Sequence, residues 1–245
     1  MASSGVQGRY TSCYATDPPG AERNPCRVSV IIPTLNEQHG IAEVLSAIPR
    51  SAVDEVLVVD GSSDRTGEIA RRLGARVVYE PRRGYGRALH TAIENVLGDI
   101  VVYIDGDFTY DPSEITRLIE PVRSGKCDVV IGNRLKQRAN HANMLFLNRI
   151  GNRILSALFR LIFRVNVGDT QCGLRVLRRS PLLNHPYRSY GMAYVTEQLA
   201  RLAKAGYRIT ELPVNYRRRI GRSKLRRLPD GFEILWTMLR VRLQS

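Results

Sequence analysis

The sequence has few of the residues that stabilise small secreted or zinc-bound domains, and it has no long apolar segment. Only four of its 245 residues are cysteine, and these four are widely separated without any CxxC pair. We therefore expect neither a zinc ribbon nor a disulfide-stapled fold. No stretch reaches the roughly 18 uncharged apolar residues that cross a bilayer. The N-terminus also lacks the apolar core of a secretory signal. These absences favour an intracellular globular protein without a transmembrane span.

Acidic residues are also scarce relative to basic ones. Lys and Arg number 37 against 23 for Asp and Glu, which leaves a formal net charge of +14. Such an excess indicates an anionic partner, which could be nucleic acid, lipid headgroups or a phosphorylated substrate. Proteins that bind nucleic acid usually show an aromatic stacking platform or a basic recognition helix. The aromatic residues make up 7% of this chain and are scattered, so we predict no nucleic-acid partner.

Strand-like and helix-like segments alternate along most of the chain. Residues 1–26 are rich in Ser, Gly, Pro and Thr, and we predict a flexible tail there. Short β-branched runs follow, separated by segments of helical length. Parallel strands need such crossovers, so the pattern predicts an α/β fold with a mostly parallel sheet flanked by helices. The predicted strands are 28–32, 55–60, 75–80, 99–105 and 128–132, and the predicted helices are 41–48, 65–73, 86–96 and 112–123.

The second half of the chain is mainly helical. Segment 144–164 carries four arginines within about 60° of one another on a helical wheel, with apolar residues opposite. It could be a helix that packs on the core with a solvated face, or one that lies in a membrane interface. A helix that ends at Gly206, a strand at 208–214 and a basic loop at 217–227 come next. We expect a further helix at 228–245.

Polar clusters follow three of the predicted strands. "PTLNE" comes after the first strand, "DGSSD" after the second and "DGD" after the fourth. The carboxyl ends of parallel strands meet at one edge of the sheet, where ligands bind. Asp105 and Asp107 would repel each other unless a cation or a proton lies between them, and paired carboxylates suit Mg²⁺ or Mn²⁺. Asp60, Asn36 and Glu37 offer groups that bind a base or a ribose.

Several of these segments, in this order, resemble family 2 glycosyltransferases with the Rossmann-like GT-A fold. The resemblance covers residues 27–227. The later segments are similar to the branch of dolichyl-phosphate mannose synthases and polyprenyl-phosphate hexosyltransferases. The segments that carry it are "VSVIIPTLNE", "EVLVVDGSSDRT", "GYGRALHTAIENVLGDIVVYIDGDFTYDP", "VVIGNR", "GDTQCGLRVLRR", "YVTEQLARLAKAGYRITELPVNY" and "RIGRSKL".

The resemblance implies a set of donor-binding residues. Asp105 and Asp107 would hold the divalent metal, Mg²⁺ or Mn²⁺, on the diphosphate of the sugar nucleotide. Thr109 stands where relatives commonly have glutamine, so its part as a third ligand is open. The residues implied to bind the nucleoside are Pro33, Asn36, Glu37 and Asp60, and those implied to lie near the phosphates are Arg134, Arg218, Ser223 and Lys224.

The resemblance further implies an inverting hexose transfer at the cytoplasmic face of the cell membrane, with the protein peripherally bound to an anionic membrane surface. The implied donor is GDP-mannose and the implied acceptor a polyprenyl or dolichyl phosphate. UDP-glucose as donor and a soluble acceptor remain alternatives. Glu197 stands where the wider family places a catalytic base. An acceptor phosphate is largely a dianion at pH 7, however, and needs positioning more than deprotonation.

One motif also fits another enzyme class. "DGDFT" matches the D-x-D-x-T signature of haloacid-dehalogenase phosphatases. That signature normally follows the first strand of its domain, whereas here it follows the fourth, and a downstream acidic pair is not evident. We therefore prefer the glycosyltransferase interpretation.

Overall fold

The computed structural model describes residues 26–221 and 227–244. The predicted tail, apart from Cys26, therefore lies outside the described residues, as do Ser223 and Lys224. The strands are β1 Val28–Thr34, β2 Glu55–Asp60, β3 Arg76–Tyr79, β4 Ile100–Tyr103, β5 Val129–Asn133, β6 Arg175–Arg178 and β7 Ile209–Pro213. The α-helices are α1 Ile41–Ala47, α2 Thr66–Arg72, α3 Tyr85–Asn95, α4 Ile115–Arg123, α5 Phe146–Phe163, α6 Arg179–Leu183, α7 Tyr194–Lys204 and α8 Arg227–Leu243.

The strands form one mixed sheet in the order β3-β2-β1-β4-β6-β5-β7. All pairs are parallel except those of β6, which runs antiparallel to both β4 and β5. Every residue of β1, β4 and β5 is buried, as expected for strands covered on both faces. The predicted α/β fold with a mostly parallel sheet flanked by helices is confirmed.

Strand β6 is not predicted by the sequence pattern. Its sequence, "RVLR", begins and ends with arginine, so it does not read as an apolar run. Arg175 is nevertheless 1% exposed, and its guanidinium donates hydrogen bonds to the carbonyl oxygens of Cys172, Val195 and Thr170 at 2.8, 2.7 and 2.5 Å. A buried guanidinium is tolerated because its donors are satisfied in this way. That network depends on tertiary structure, which a local pattern does not record.

The sheet has a topological switch point between β1 and β4. β1 pairs with β2 as far as Thr34 and Asp60, but its pairing with β4 ends at Ile31 and Tyr103. Pro33 lies beyond the last β4 pair, where its missing N–H does not interrupt that ladder. Because β2 and β4 flank β1 on opposite sides, the loops that follow these strands diverge and leave a crevice.

Helices α5, α7 and α8 pack together beside the sheet. Of the residues of α5, only Ser156 and Phe159 are buried, whereas Leu147, Ile154 and Leu161 are 63%, 55% and 77% exposed. These apolar residues therefore face outwards, while α5 packs on the core through Phe159 on another side. Among the described residues, no helix combines the length and the apolar character that crossing a membrane requires.

Candidate active site

The loop after β4 folds the two aspartates into a tight turn. The strand ends at Tyr103, two residues earlier than predicted, and Gly106 and Asp107 form a turn. Phe108 follows with φ of +60°, a left-handed conformation that a bulky residue adopts only where the surroundings enforce it. The backbone N–H and the hydroxyl of Thr109 then donate to Asp107 Oδ1 at 3.0 and 2.6 Å. The turn thus fixes the direction of the Asp107 carboxylate.

Thr109 has a defined position in this turn. Its side chain is 2% exposed and its hydroxyl donates to Asp107, so it orients the carboxylate. Its carbonyl oxygen accepts a hydrogen bond from the N–H of Arg217 at 2.7 Å. The structure therefore gives Thr109 a supporting position beside Asp107. Its part as a metal ligand stays a prediction.

Asp105 lies between Tyr85 and a glycine. The Tyr85 hydroxyl donates to Asp105 Oδ1 at 3.2 Å, and a Cβ on Gly173 would lie only 2.7 Å from Oδ2, so no larger residue fits there without a shift. Burial, and next the charge of Asp107, raise the pKa of Asp105 to about 7, although Arg219, Tyr85 and Arg134 oppose the shift. The charge of Asp107 thus opposes ionisation of Asp105, and a bound cation would relieve this repulsion.

Arg219 reaches into the same crevice from the basic segment. Its Nη2 lies 2.5 Å from Glu37 Oε1 and its Nη1 lies 2.6 Å from Asp107 Oδ2. Arg218, which the resemblance places near the phosphates, is exposed, and its contact with phosphate stays a prediction. Neighbouring residues of an extended segment point in opposite directions, so Arg218 and Arg219 face different sides.

The loops after β1 and β2 are tied to each other. Asn36, with φ of +54°, accepts the N–H of Ser63 on its Oδ1 at 2.9 Å. Asp60, 6% exposed, accepts the hydroxyl of Thr34 at 2.9 Å and the N–H of Ser62 at 3.2 Å on its Oδ1. The loops that follow β1, β2 and β4 thus lie at one edge of the sheet. Arg219 connects the loop after β1, through Glu37, to the loop after β4, through Asp107. Binding of a nucleoside there stays a prediction.

Arg134 lies at the end of β5 and forms a buried ion pair that the sequence did not indicate. Its Nε and Nη2 donate to the two carboxylate oxygens of Asp169 at 2.7 and 2.8 Å. Its guanidinium carbon lies 5.4 Å from the centroid of the Tyr216 ring. Asp169 is a single acid in a polar loop, so local sequence gives no reason to single it out. Arg134 is near enough to affect the pKa of Asp105, and a contact with phosphate stays a prediction.

The surroundings of Glu197 do not suit a catalytic base, which is the role that the resemblance implies for it. It is fully buried on α7 and accepts the N–H groups of Arg188 and Ser189 at 2.9 and 2.7 Å. Its other oxygen binds Arg201 at 2.9 Å and lies 3.4 Å from Arg240. Burial opposes its ionisation, but the hydrogen bonds from Ser189, Arg188 and Arg201 outweigh burial and lower the pKa of Glu197. The structure corrects the sequence-based role, because this carboxylate is engaged in structural contacts.

The acidic crevice suits a cation that shares its ligands with a substrate. Among residues 26–221 and 227–244, no three His, Cys, Asp or Glu side chains are grouped as a metal site. Mg²⁺ and Mn²⁺ do not need such a cage, since they take one or two carboxylates together with water and substrate phosphates. Asp105 and Asp107 are hard oxygen donors, and a guanidinium already lies beside Asp107. The residues therefore fit a divalent cation on a diphosphate.

Comparisons with known proteins agree with this arrangement. The family model described as "Glycosyl transferase family 2" matches residues 29–185. The low-salt glycan biosynthesis hexosyltransferase Agl6 of Haloferax volcanii is 35% identical over 86% of this chain, which spans 53% of that protein, about half its length. The dolichyl-phosphate hexose transferase of the same organism is 36% identical over 89% of this chain and 95% of its own.

A solved structure of glucosyl-3-phosphoglycerate synthase from Mycobacterium tuberculosis has the same fold. It contains Mn²⁺, UDP-glucose and phosphoglyceric acid, and it superposes with a TM-score of 0.69 at 26% identity over 89% of this chain and 80% of its own. Another structure of that enzyme holds Mg²⁺ and UDP. The cofactor that the sequence predicts, Mg²⁺ or Mn²⁺, agrees with these structures. The chain is therefore an enzyme that belongs to glycosyltransferase family 2.

Proposed function

We propose that this enzyme transfers a hexose from a sugar nucleotide to a polyprenyl or dolichyl phosphate at a membrane surface, with inversion at the anomeric carbon. The observation that carries the proposal is the crevice in which Asp105, Asp107 and Arg219 meet at the switch point of the sheet. The match to nearly the whole length of a dolichyl-phosphate hexose transferase supports the acceptor class. GDP-mannose is the proposed donor.

The donor would lie across the loops of β1, β2 and β4. Asn36, Glu37 and Asp60 offer oxygens at the nucleoside end, since ribose hydroxyls and base N–H groups need acceptors. Asp105 and Asp107 would hold Mg²⁺ or Mn²⁺ at the diphosphate end. When bound, such a cation stabilises the negative charge that develops on the leaving diphosphate.

The transfer itself needs few proton movements. An oxygen of the acceptor phosphate attacks the anomeric carbon from the face opposite the nucleotide, and the bond from that carbon to the donor phosphate oxygen breaks with its electron pair. The nucleoside diphosphate leaves as an anion. Because the attacking oxygen is already ionised at pH 7, a general base is unnecessary. The buried, fully bonded state of Glu197 is compatible with this route.

An apolar surface on α5 and α8 supports membrane binding. The two helices pack on each other, and they carry most of the exposed large apolar side chains that the structure describes. Phe232 and Trp236 on α8 are 74% and 60% exposed, although the sequence alone gave this helix no clear apolar face. Arg153 and Arg160 of α5 are exposed and adjoin Ile154 and Leu161 in sequence. We therefore propose that an anionic lipid bilayer binds this surface. The apolar surface comprises Leu147, Ile150, Ile154, Leu161, Phe232, Leu235, Trp236, Leu239 and Leu243.

Charged substitutions on this surface should weaken membrane binding. We expect Ile154→Glu and Trp236→Glu each to lower binding to phosphatidylglycerol vesicles by roughly tenfold, because each removes a buried apolar side chain from the bilayer. Flotation with vesicles at low salt measures this. Tyr79→Glu is the matched control, since Tyr79 is an equally exposed aromatic side chain on β3, and it should bind like the wild type. Equal binding by all four proteins, or none by the wild type, would contradict the proposed docking.

A second candidate follows from the mycobacterial structure. Its ligands are UDP-glucose and phosphoglyceric acid, so a soluble phosphorylated acceptor also fits a glycosyltransferase of this fold. Both candidates use a sugar nucleotide and an acceptor with phosphate charge. They differ in the base and the sugar of the donor and in whether the acceptor has a lipid chain.

A panel of labelled donors separates the candidates. The enzyme is incubated with radiolabelled GDP-mannose or UDP-glucose, Mg²⁺ or Mn²⁺, and either a polyprenyl phosphate or 3-phosphoglycerate. We expect label in the organic phase with GDP-mannose and the polyprenyl phosphate. Label in a water-soluble product with 3-phosphoglycerate would favour the second candidate. If the folded enzyme transfers no sugar with any combination of these donors and acceptors, the proposal is wrong.

A further inference from the structure

Arg219 lies where a cation bound to the acidic loop would have to compete with it. Its guanidinium is shared between Glu37 at 2.5 Å and Asp107 at 2.6 Å. These two carboxylates are only 7% and 2% exposed, so water alone cannot stabilise their charges. Arg219 carries one positive charge against these two carboxylates, so it offsets part of their negative charge.

The main chain holds Arg219 at this place. The N–H of Arg217 donates to the carbonyl oxygen of Thr109 at 2.7 Å, and that of Ile220 donates to the carbonyl oxygen of Asp107 at 3.1 Å. The segment is thus attached on both sides of Arg219 to the loop that carries the carboxylates. The side chain can leave Asp107 by rotation while the main chain stays attached.

We propose that Arg219 is a positioning residue that serves as the counter-ion of the acidic loop in the metal-free enzyme and leaves Asp107 when the divalent cation binds. A guanidinium and a divalent cation at hydrogen-bond distance from the same carboxylate repel each other, so one replaces the other. The inference rests on the proposed function, because it requires a cation at Asp105 and Asp107.

The released guanidinium is suited to the charge that arrives next. Its planar donors match two phosphate oxygens, and its attached segment keeps it within reach of the crevice. Arg219 thus opposes binding of the cation alone and favours binding of the cation together with a nucleoside diphosphate. These two effects have opposite signs, which neither a purely structural residue nor a simple phosphate ligand would produce.

The test measures Mn²⁺ binding by the free Mn²⁺ signal in electron paramagnetic resonance, without any turnover. We expect Arg219→Gln to bind Mn²⁺ about fivefold more tightly than the wild type in the absence of nucleotide, because the ion pair that competes with the cation for Asp107 is removed; fivefold corresponds to about 1 kcal/mol. With saturating GDP or UDP this advantage should disappear or reverse. Arg219→Lys, which retains the charge, should resemble the wild type.

Arg217→Gln is the matched control. It removes the same charge two residues away, but Arg217 is paired with Asp111, so Mn²⁺ affinity should change by less than about twofold. Circular dichroism confirms that each variant is folded. If Arg219→Gln and the wild type bind Mn²⁺ equally, Arg219 is not the counter-ion. An equal gain with and without nucleotide would overturn the transfer to phosphate. If no variant binds Mn²⁺ in either condition, the metal centre of the proposed function itself fails.

Discussion

Asp107→Ala is expected to lower metal-dependent hexose transfer by about 10²- to 10³-fold, because the variant loses a carboxylate that would hold the cation on the diphosphate. The variant also releases Arg219 and Thr109 from their shared partner. The measurement is transfer of labelled hexose at saturating Mg²⁺ or Mn²⁺. Circular dichroism should show an unchanged fold, since the core of β4 ends four residues earlier.

Asp99→Ala is the control for this variant. Asp99 precedes the same strand at its amino end, where it accepts the N–H of Arg27 at 3.1 Å, so it lies away from the crevice. Its replacement should leave transfer within a factor of about two. Wild-type-like transfer by Asp107→Ala would remove the metal role of Asp107. A similar loss in both variants would indicate a general effect on β4.

Glu197→Gln is expected to destabilise the protein by about 2–3 kcal/mol, because it removes a buried carboxylate from the partly buried guanidinium groups that it binds. Arg201 loses its bidentate contact, and Arg240 on α8 loses the nearby charge. For a domain of this size each kcal/mol shifts the midpoint of thermal unfolding by about 2–4 °C. The measurement is denaturant unfolding, with transfer assayed at a temperature where the variant is folded.

The stabilising effect of Glu197 is expected to depend on pH in a defined direction. The pKa of Glu197 is lowered in the folded protein, so its stabilising effect is complete above the ordinary pKa of a glutamate, near 4.3, and is lost as the pH falls through the folded value. The difference in free energy of unfolding between wild type and variant should therefore shrink in acid. Glu68→Gln, which alters an exposed pair with Arg65, should change stability little. A stable but inactive Glu197→Gln would restore the catalytic role.

Much of the crevice could be predicted because its residues follow strands. The apolar runs at β1, β2 and β4 predict parallel strands of one sheet. The carboxyl ends of such strands lie at one edge, where ligands bind, so Asp60, Asn36 and Asp105 are predicted to lie there together. The convergence of their loops follows from topology, without any knowledge of side-chain packing. The same logic does not predict the turn at Phe108, whose left-handed backbone is enforced by its surroundings.

The residues that sequence missed or misplaced are buried charges. Asp169 is fully buried against Arg134, Glu197 is held by arginines from α7 and α8, and Arg175 is enclosed by three carbonyl groups. Charged residues are rarely buried, so a local pattern assigns them to the surface. Some of their partners, such as Arg134 and Arg240, lie far along the chain, and these contacts are identified only by the fold.

The position of β6 has a consequence for the order of folding during synthesis. β1 to β4 are complete once Tyr103 has been made, and their parallel pairs can form at that point. Within residues 26–221 and 227–244, β5 pairs only with β6 and β7, so it emerges from the ribosome more than 40 residues before the first of these neighbours. Pairing over such sequence separation is slow. We expect β1 to β4 to form early and β5 to be the strand most exposed to aggregation in a nascent or truncated chain.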